Sequence, residues 1–186
     1  MMTKPSVGDV VSVLINDWLD NIGAQIAVNS CIAASTTAVE VLRYFDIPAE
    51  AVACDVAFSN AEAWELFERH VPNELWPDSA WSVGSAHEQI NDDNGYNGHV
   101  VLLVADMLID ITAPQYHRPK KGIIISGPIV ADRPAGDDLV VRDDTGTIGF
   151  YRLQRDRKRW KHTPDYRMRT KNAGEMIRRM REQFDG

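Results

Sequence analysis

Cysteine and long apolar runs are scarce in this chain, and each scarcity excludes a class of protein. Only two cysteines, Cys31 and Cys54, occur in 186 residues, which is too few for a disulfide framework. We therefore expect free thiols in a reducing compartment, with the cytoplasm as the default location. No apolar stretch reaches the roughly 20 residues of a membrane-spanning helix. No apolar run follows residues 1–6, so we expect no signal peptide.

Signals for phosphate and nucleic-acid binding are also weak. The chain has no Gly-rich phosphate loop of either common type, and its net charge is -7, which disfavours nucleic acid and anionic lipid as partners. Positive charge is concentrated in residues 152–181. With Trp160 and Tyr166, this region could bind nucleic acid or an acidic protein. The alternative, which we favour, is a solvated face that balances an acidic body.

Length and composition predict one globular domain. The apolar fraction of 44% and the charged fraction of 25% are ordinary for such a domain. We expect a single domain over residues 1–186, with a core over about 7–153 and a basic C-terminal extension and helix over about 154–186. Helices precede most of the strands, which favours an α+β fold with helices packed on an antiparallel sheet.

Hydrophobic periodicity predicts the individual elements. We expect helices at 7–20, 31–44, 61–70 and 172–184. We expect strands at 51–58, 98–104, 107–112, 122–131, 138–142 and 147–153. Residues 71–96 are predicted to form a long loop with one short strand near Trp81, and loops of this length are often functional.

The stretch from Gln25 to Leu42 indicates a loop that delivers Cys31 to the first turn of a buried helix. The unpaired amides and the dipole of a helix N-terminus stabilise a thiolate there, and a thiolate is the reactive form of cysteine. The alternative is an inert core thiol, because free cysteine is among the most buried residue types. Cys54 lies mid-strand and is predicted to fill the core.

His99 and Asp110 are the polar residues of two strongly apolar strands. A lone His99 could be a satisfied core residue, but a buried Asp110 is costly unless it is paired. If residues 105–106 form a two-residue hairpin loop, His99 faces Thr112 and Asp110 lies diagonally from it, roughly 7–8 Å away at the backbone. A slip of one residue would instead put the two side chains on opposite faces.

These residues predict a site for covalent acyl transfer. Cys31 is the expected nucleophile, His99 the general base and acid, and Asp110 the residue that orients the ring. Gln25 is a candidate oxyanion donor, although it could equally be an ordinary loop glutamine. A zinc site from the same three residues is an alternative, but the ligand spacing typical of zinc is missing, so we expect no metal and no cofactor.

Three residues near the predicted site in sequence are candidates for substrate binding: Trp81, Tyr96 and Asn97. The two aromatic side chains could line a substrate cleft. Alternatively, they anchor the long loop to the core, while Asn97 and Gly98 form the turn into the next strand.

Several short motifs resemble known cysteine enzymes. A glutamine six residues before a helix-starting cysteine is similar to the papain-like pattern. A Gly-His strand followed by a strand that ends Asp-x-Thr resembles transglutaminase-like proteins. Residues 110–116 are similar to the Asp-x-Thr-Ala-x-Gln-aromatic run of that superfamily and of arylamine N-acetyltransferases. The resemblance covers about residues 25–116 and implies a papain-like or transglutaminase-like core with a Cys-His-Asp triad.

Together, the residues and the resemblance predict a thiol enzyme. We expect a hydrolase or acyltransferase that acts on an amide, peptide or thioester bond through a covalent thioester intermediate. The substrate would be a peptide, a protein, or a small amide or thioester. The alternative is a non-catalytic binding protein on the same scaffold, which uses the cleft or the basic C-terminal region to bind a protein or nucleic acid.

Overall fold

The computed structural model describes residues 5–21, 30–85, 89–90 and 96–185. These residues form an α+β fold of helices packed on an antiparallel sheet, as the sequence predicts. In chain order the elements are α1 (Val7–Asn21), α2 (Cys31–Tyr44), β1 (Ala49–Ser59), α3 (Ala61–Glu68), β2 (Ser82–Ser85), β3 (Gln89–Ile90), β4 (Tyr96–Asn97), β5 (His99–Val104), β6 (Met107–Asp110), β7 (Ile129–Asp132), β8 (Asp138–Arg142), β9 (Ile148–Leu153) and α4 (Pro164–Asp185).

The long strand β1 lies at the centre of the main sheet, whose order is β7-β6-β5-β1-β9-β8. Its first half, up to Cys54, pairs with β5 on one side. Its second half, from Cys54, pairs with β9 on the other side, and β2 pairs with its last residues beyond the end of β5. β3 and β4 form a separate two-stranded antiparallel sheet. Residues 71–96 therefore contain more strand than the single short one predicted.

The sheet has two apolar faces, because successive side chains of a strand alternate in direction. One face, here called the helix face, carries Leu102 and Val104 of β5, which pack with α1, α2 and α4. The other, here called the inner face, carries Val101 and Leu103 with buried residues of β1 and β9. The nearly closed curvature of the sheet and a short 3-10 helix, Ala113–Tyr116, bury the inner face.

The C-terminal helix α4 begins at Pro164, eight residues before the predicted start at 172. Thr163 accepts a hydrogen bond from the backbone N–H of Tyr166 at 3.4 Å, and proline is favoured at the first helical position. Met176 and Met180 of α4 are buried against the other helices. The basic C-terminal region is thus packed into the same core as the rest of the chain.

The predicted strand over 122–131 is wrong for its first part, and only Ile129–Asp132 is a strand. The amides of this first part donate to side chains and to backbone carbonyls of a preceding turn, rather than to a neighbouring strand. Ile124 N–H donates to Thr147 Oγ1 at 2.8 Å, and Ile125 N–H donates to His117 Nδ1 at 2.9 Å. The alternating apolar pattern reflects burial of Ile123 and Ile125 on the inner face, and not ladder pairing.

Within the residues that the structure describes, no helix combines the length and apolar character needed to cross a membrane.

Candidate active site

His99 and Asp110 meet at the end of the β5–β6 hairpin. Val104 pairs with Met107 and Leu102 with Ile109, so residues 105–106 form the two-residue loop and the predicted register is confirmed. His99 Nε2 lies 2.8 Å from Asp110 Oδ2, and both side chains are fully buried. The diagonal pairing expected from the sequence therefore produces a direct hydrogen bond.

Further donors surround the Asp110 carboxylate. Thr112 donates to Oδ1 from its backbone N–H at 3.1 Å and from its hydroxyl at 3.3 Å. Tyr151 on β9 donates its hydroxyl to Oδ2 at 3.1 Å. Thr112 also explains why β6 stops at Asp110, since its amide turns back to the carboxylate instead of continuing the ladder. With His99, these groups fix the position of both carboxylate oxygens.

Cys31 begins helix α2 and approaches the start of β5. The side chain is 2% exposed. Its sulfur lies 3.7 Å from the carbonyl oxygen of Gly98, and it is close enough to His99 to help raise the pKa of that ring. Ser35 holds the helix in place, because its hydroxyl donates to the carbonyl of Val100 at 2.9 Å. The structure thus brings together Cys31, His99 and Asp110.

Opposing effects set the pKa of His99. Burial alone would lower it, but attraction to Asp110, the hydrogen bond to Asp110, and the hydrogen bond and attraction to Cys31 together raise the pKa from 6.5 to about 10. Because Asp110 occupies Nε2, the ring nitrogen left for Cys31 is Nδ1. The Gln115 amide nitrogen and the Tyr116 hydroxyl also lie near Nδ1, each at 3.4 Å. The geometry favours a charged imidazolium between sulfur and carboxylate.

The other titratable groups around the site are held neutral. Burial raises the pKa of the Cys54 thiol well above its ordinary value, and nearby Asp110 adds to the effect. Burial likewise raises the pKa of Tyr116 and of Tyr151. Cys54 packs among apolar residues of the inner face, as predicted for a core residue. Tyr151 is therefore a neutral donor to Asp110, and the Tyr116 hydroxyl lies neutral beside His99 Nδ1.

Tyr96 and Trp160 pack around Cys31 in one buried cluster with Ala53. The Tyr96 ring lies so close to Gly98 that a Cβ at this glycine would be 2.5 Å from a ring atom. A side chain at position 98 would therefore displace the Tyr96 ring from Cys31. Tyr96, one of the predicted substrate-binding residues, is thus at the site, although it is itself buried.

Of the remaining predicted site residues, Trp81 is placed away from the three central side chains, and two are not described in full. Gln25 lies outside the described residues, and of Asn97 only the backbone, in β4, is described. Trp81 lies elsewhere, with Lys121 Nζ 3.7 Å from its ring centroid. Its neighbour Ser82 pairs with Ser59, five β1 positions from the partner of His99, or roughly 17 Å at the rise of a strand.

Four residues of the site carry roles that the sequence analysis did not assign: Thr112, Gln115, Tyr116 and Tyr151. The first three belong to the Asp-x-Thr-Ala-x-Gln-aromatic run, so the motif itself was the signal for them. Tyr151 had no local signal, because it reaches Asp110 only through the pairing of β9 with β1.

Within the described parts of the chain, no three His, Cys, Asp or Glu side chains form a cluster suited to a metal ion. Comparisons of the chain with protein-family models, curated proteins and solved structures found no match.

Proposed function

We propose that the protein is a cysteine-dependent hydrolase or acyltransferase that acts on an amide, peptide or thioester bond. The observation that carries this proposal is the position of the His99 ring, which is hydrogen-bonded to Asp110 at 2.8 Å and interacts electrostatically with Cys31. Nucleophile, base and orienting residue in this order are the elements of covalent acyl transfer. A papain-like or transglutaminase-like core is part of the same proposal.

In the first half of the reaction, the Cys31 thiolate attacks the substrate carbonyl carbon and forms a C–S bond, while the π electrons move to the oxygen. The helix N-terminus at Cys31 offers backbone N–H groups to this oxyanion. Gln25 remains a candidate second donor. When the intermediate collapses, the C–N or C–S bond of the leaving group breaks, and His99 gives its Nδ1 proton to the departing amine or thiolate.

In the second half, neutral His99 removes a proton from water, or from an amine or other acceptor, whose lone pair attacks the thioester. Collapse expels Cys31 as thiolate and leaves His99 protonated, so the site returns to its starting charge. Asp110 keeps the ring oriented throughout and stabilises the imidazolium. Net hydrolysis consumes one water and releases an acid and an amine or thiol.

Burial of the site adds a requirement. Cys31 is 2% exposed and His99 is fully buried, so a substrate must displace side chains that pack against the sulfur, such as Tyr96 or Trp160. A closed site of this kind excludes water from the thioester until an acceptor enters. Two free cysteines fit the cytoplasmic setting expected from the sequence.

Contacts of the basic C-terminal region weaken the alternative of nucleic-acid binding. Arg157 pairs with Asp55 at 2.6 Å, and Arg169 pairs with Glu40 at 3.1 Å. Trp160, the proposed stacking residue, is 2% exposed. The two arginines and the tryptophan ring therefore contact the protein itself. This supports the interpretation that the basic region offsets the negative charge of the rest of the domain.

Intact-protein mass spectrometry with a panel of amide and thioester electrophiles tests the proposal. We expect one adduct on the wild type and on the matched control Cys54→Ala, and none on Cys31→Ala. On His99→Ala, adduct formation should fall by about 100-fold or more, as is usual for loss of a general base. Adducts that survive Cys31→Ala, or a panel that gives no adduct at all, would contradict the proposal.

A further inference from the structure

An aromatic groove lies between α3 and the strands β1 and β9. It is a cavity of about 380 Å³ with walls of Trp64, Phe67, Trp76 and Phe150. The Trp64 and Phe67 ring centroids are 5.4 Å apart, and those of Phe67 and Phe150 are 6.4 Å apart. Phe67 is 52% exposed. A concave, aromatic-walled cavity of this size has the character of a ligand site, and exposed apolar patches mark interaction surfaces.

A buried donor in the wall lacks an acceptor. Trp64 Nε1 has no hydrogen-bond partner in the described structure, although the residue is only 8% exposed. By contrast, Trp76 Nε1 donates to the carbonyl of Val71 at 2.9 Å. Buried indole N–H groups usually find a partner, and an unmade hydrogen bond is costly. The nitrogen is buried beneath the groove surface, so a ligand that shifts the wall rings and brings a carbonyl oxygen along with an apolar group would satisfy this donor.

The groove lies on the same face of β1 as the candidate nucleophile. Cys31 packs with Ala51 and Ala53, whereas Ala57 and, opposite it on β9, Phe150 line the groove. These β1 residues differ by even numbers and therefore share a face. Ala53 and Ala57 are four residues apart, or roughly 13 Å along the strand. An extended polypeptide covers that distance in about four residues.

We propose that the groove binds a large apolar side chain of an extended polypeptide substrate, about four residues from the carbonyl that Cys31 attacks. The inference rests on the proposed function, and it narrows the substrate class to peptides and proteins. A peptide supplies both features that the groove lacks, an apolar side chain for the aromatic walls and a backbone carbonyl for Trp64 Nε1. Between the groove and the Cys31 sulfur, the bound polypeptide substrate passes the half-buried ion pair of Asp55 and Arg157.

Binding of peptides without any electrophile tests the groove independently of the chemistry. The probes are fluorescein-labelled hexapeptides of alanine and serine with or without one phenylalanine, measured by fluorescence anisotropy. We expect binding to require the phenylalanine, to weaken at least fivefold in Phe67→Ala and to weaken severalfold in Trp64→Phe, which keeps a ring but loses the N–H. Tyr44→Ala, at another half-exposed aromatic, should bind as the wild type does. Absent binding, or equal binding by Phe67→Ala, would overturn the inference.

Labelling kinetics then test the link between groove and sulfur. The same peptides carry a chloromethyl ketone at the C-terminus or a chloroacetyl group at the N-terminus, with the phenylalanine placed two to six residues away. The Cys31 labelling rate should peak in one series near a spacing of four, and Phe67→Ala should abolish the peak without changing the rate with iodoacetamide. A Cys31 labelling rate that does not depend on the spacing between the phenylalanine and the electrophile would overturn the inference but would not contradict the proposed reactivity of the thiol. Groove binding without any Cys31 labelling would instead count against the proposed function.

Discussion

The His99 ring has Asp110 on one side and Cys31 on the other, and the proposed chemistry of the site depends on this arrangement. Nε2 is held by Asp110 at 2.8 Å, which leaves Nδ1 toward Cys31. The ring cannot rotate without losing the carboxylate, because both side chains are fully buried. The orientation of the His99 ring is therefore fixed by contacts within the protein core.

Tyr151 is predicted to act as a positioning residue through Asp110. Its hydroxyl donates to the carboxylate oxygen that also binds His99. We expect Tyr151→Phe to lower the free energy of unfolding by about 2 kcal/mol, the usual value for a hydrogen bond to a charged group. It should also slow Cys31 alkylation severalfold and shift the pH dependence of that rate. The exposed control Tyr44→Phe should change neither stability nor the rate of Cys31 alkylation. An unaltered pH dependence of alkylation in Tyr151→Phe would contradict the positioning role of Tyr151.

The raised pKa of His99 predicts how stability changes with pH. Interactions with Asp110 and Cys31, which outweigh burial, raise it from 6.5 to about 10. A raised pKa means that the folded state binds the proton more tightly, so this stabilisation is complete below about pH 6.5 and is lost as the pH rises toward 10. Denaturant titrations should therefore show the stability advantage of wild type over His99→Gln shrinking across this window. An advantage that stayed constant or grew with pH would mean that His99 is not held as imidazolium.

At the scale of elements, the position of Cys31 depends on the contact between α2 and β5. Ser35 makes this link through its bond to the Val100 carbonyl, which joins the helix to the strand next to His99. We expect Ser35→Ala to cost about 1 kcal/mol of stability and to slow Cys31 alkylation, because the first turn of the helix is no longer held. Thr36→Val is the matched control, since the Thr36 hydroxyl bonds only within the helix, to Ile32. Equal alkylation rates in the two variants would show that the link does not position the sulfur.

Elements were predictable from the sequence where local signals decide them. The start of α2 at Cys31 and the hairpin register of β5 and β6 follow from periodicity and turn chemistry, and both are confirmed. The predicted strand over 122–131 is wrong because its amides bond to the side chains of Thr147 and His117, contacts that hydrophobic periodicity does not reveal. The early start of α4 had a local signal, threonine followed by proline, that the helical periodicity did not include.

The residues of the candidate site also fall into those that the local sequence predicts and those that it does not. Cys31, His99 and Asp110 lie on segments whose patterning shows where polar residues enter an apolar core. Tyr151, the groove walls and the distance of Trp81 from the site depend on which strands pair with β1. Such pairings join residues far apart in sequence, and hydrophobic periodicity does not show which of the possible strand pairings forms.

At the scale of the whole molecule, the basic C-terminal helix is held to the acidic body by a two-point ion pair. Arg179 donates to both oxygens of Asp17, each at 2.7 Å, and the Asp17 side chain is 1% exposed. We expect Arg179→Leu to lower stability by about 3 kcal/mol, because a buried carboxylate loses its guanidinium partner. Arg178→Leu, whose ion pair with Glu182 is exposed, should cost at most about 0.5 kcal/mol. Thermal or urea unfolding measures both, and equal small effects would mean that α4 is not fastened in this way.

The proposed function requires that Cys31 is an activated nucleophile kept reactive by His99 and Asp110. The site-resolved rate of iodoacetamide alkylation at neutral pH, followed by peptide mass spectrometry, tests this requirement, with buried Cys54 as an internal reference. We expect Cys31 to react at least tenfold faster than Cys54 in the native protein, and we expect His99→Gln and Asp110→Asn to remove most of this difference while both proteins stay folded. Equal and slow alkylation of the two cysteines, unchanged by either substitution, would contradict it.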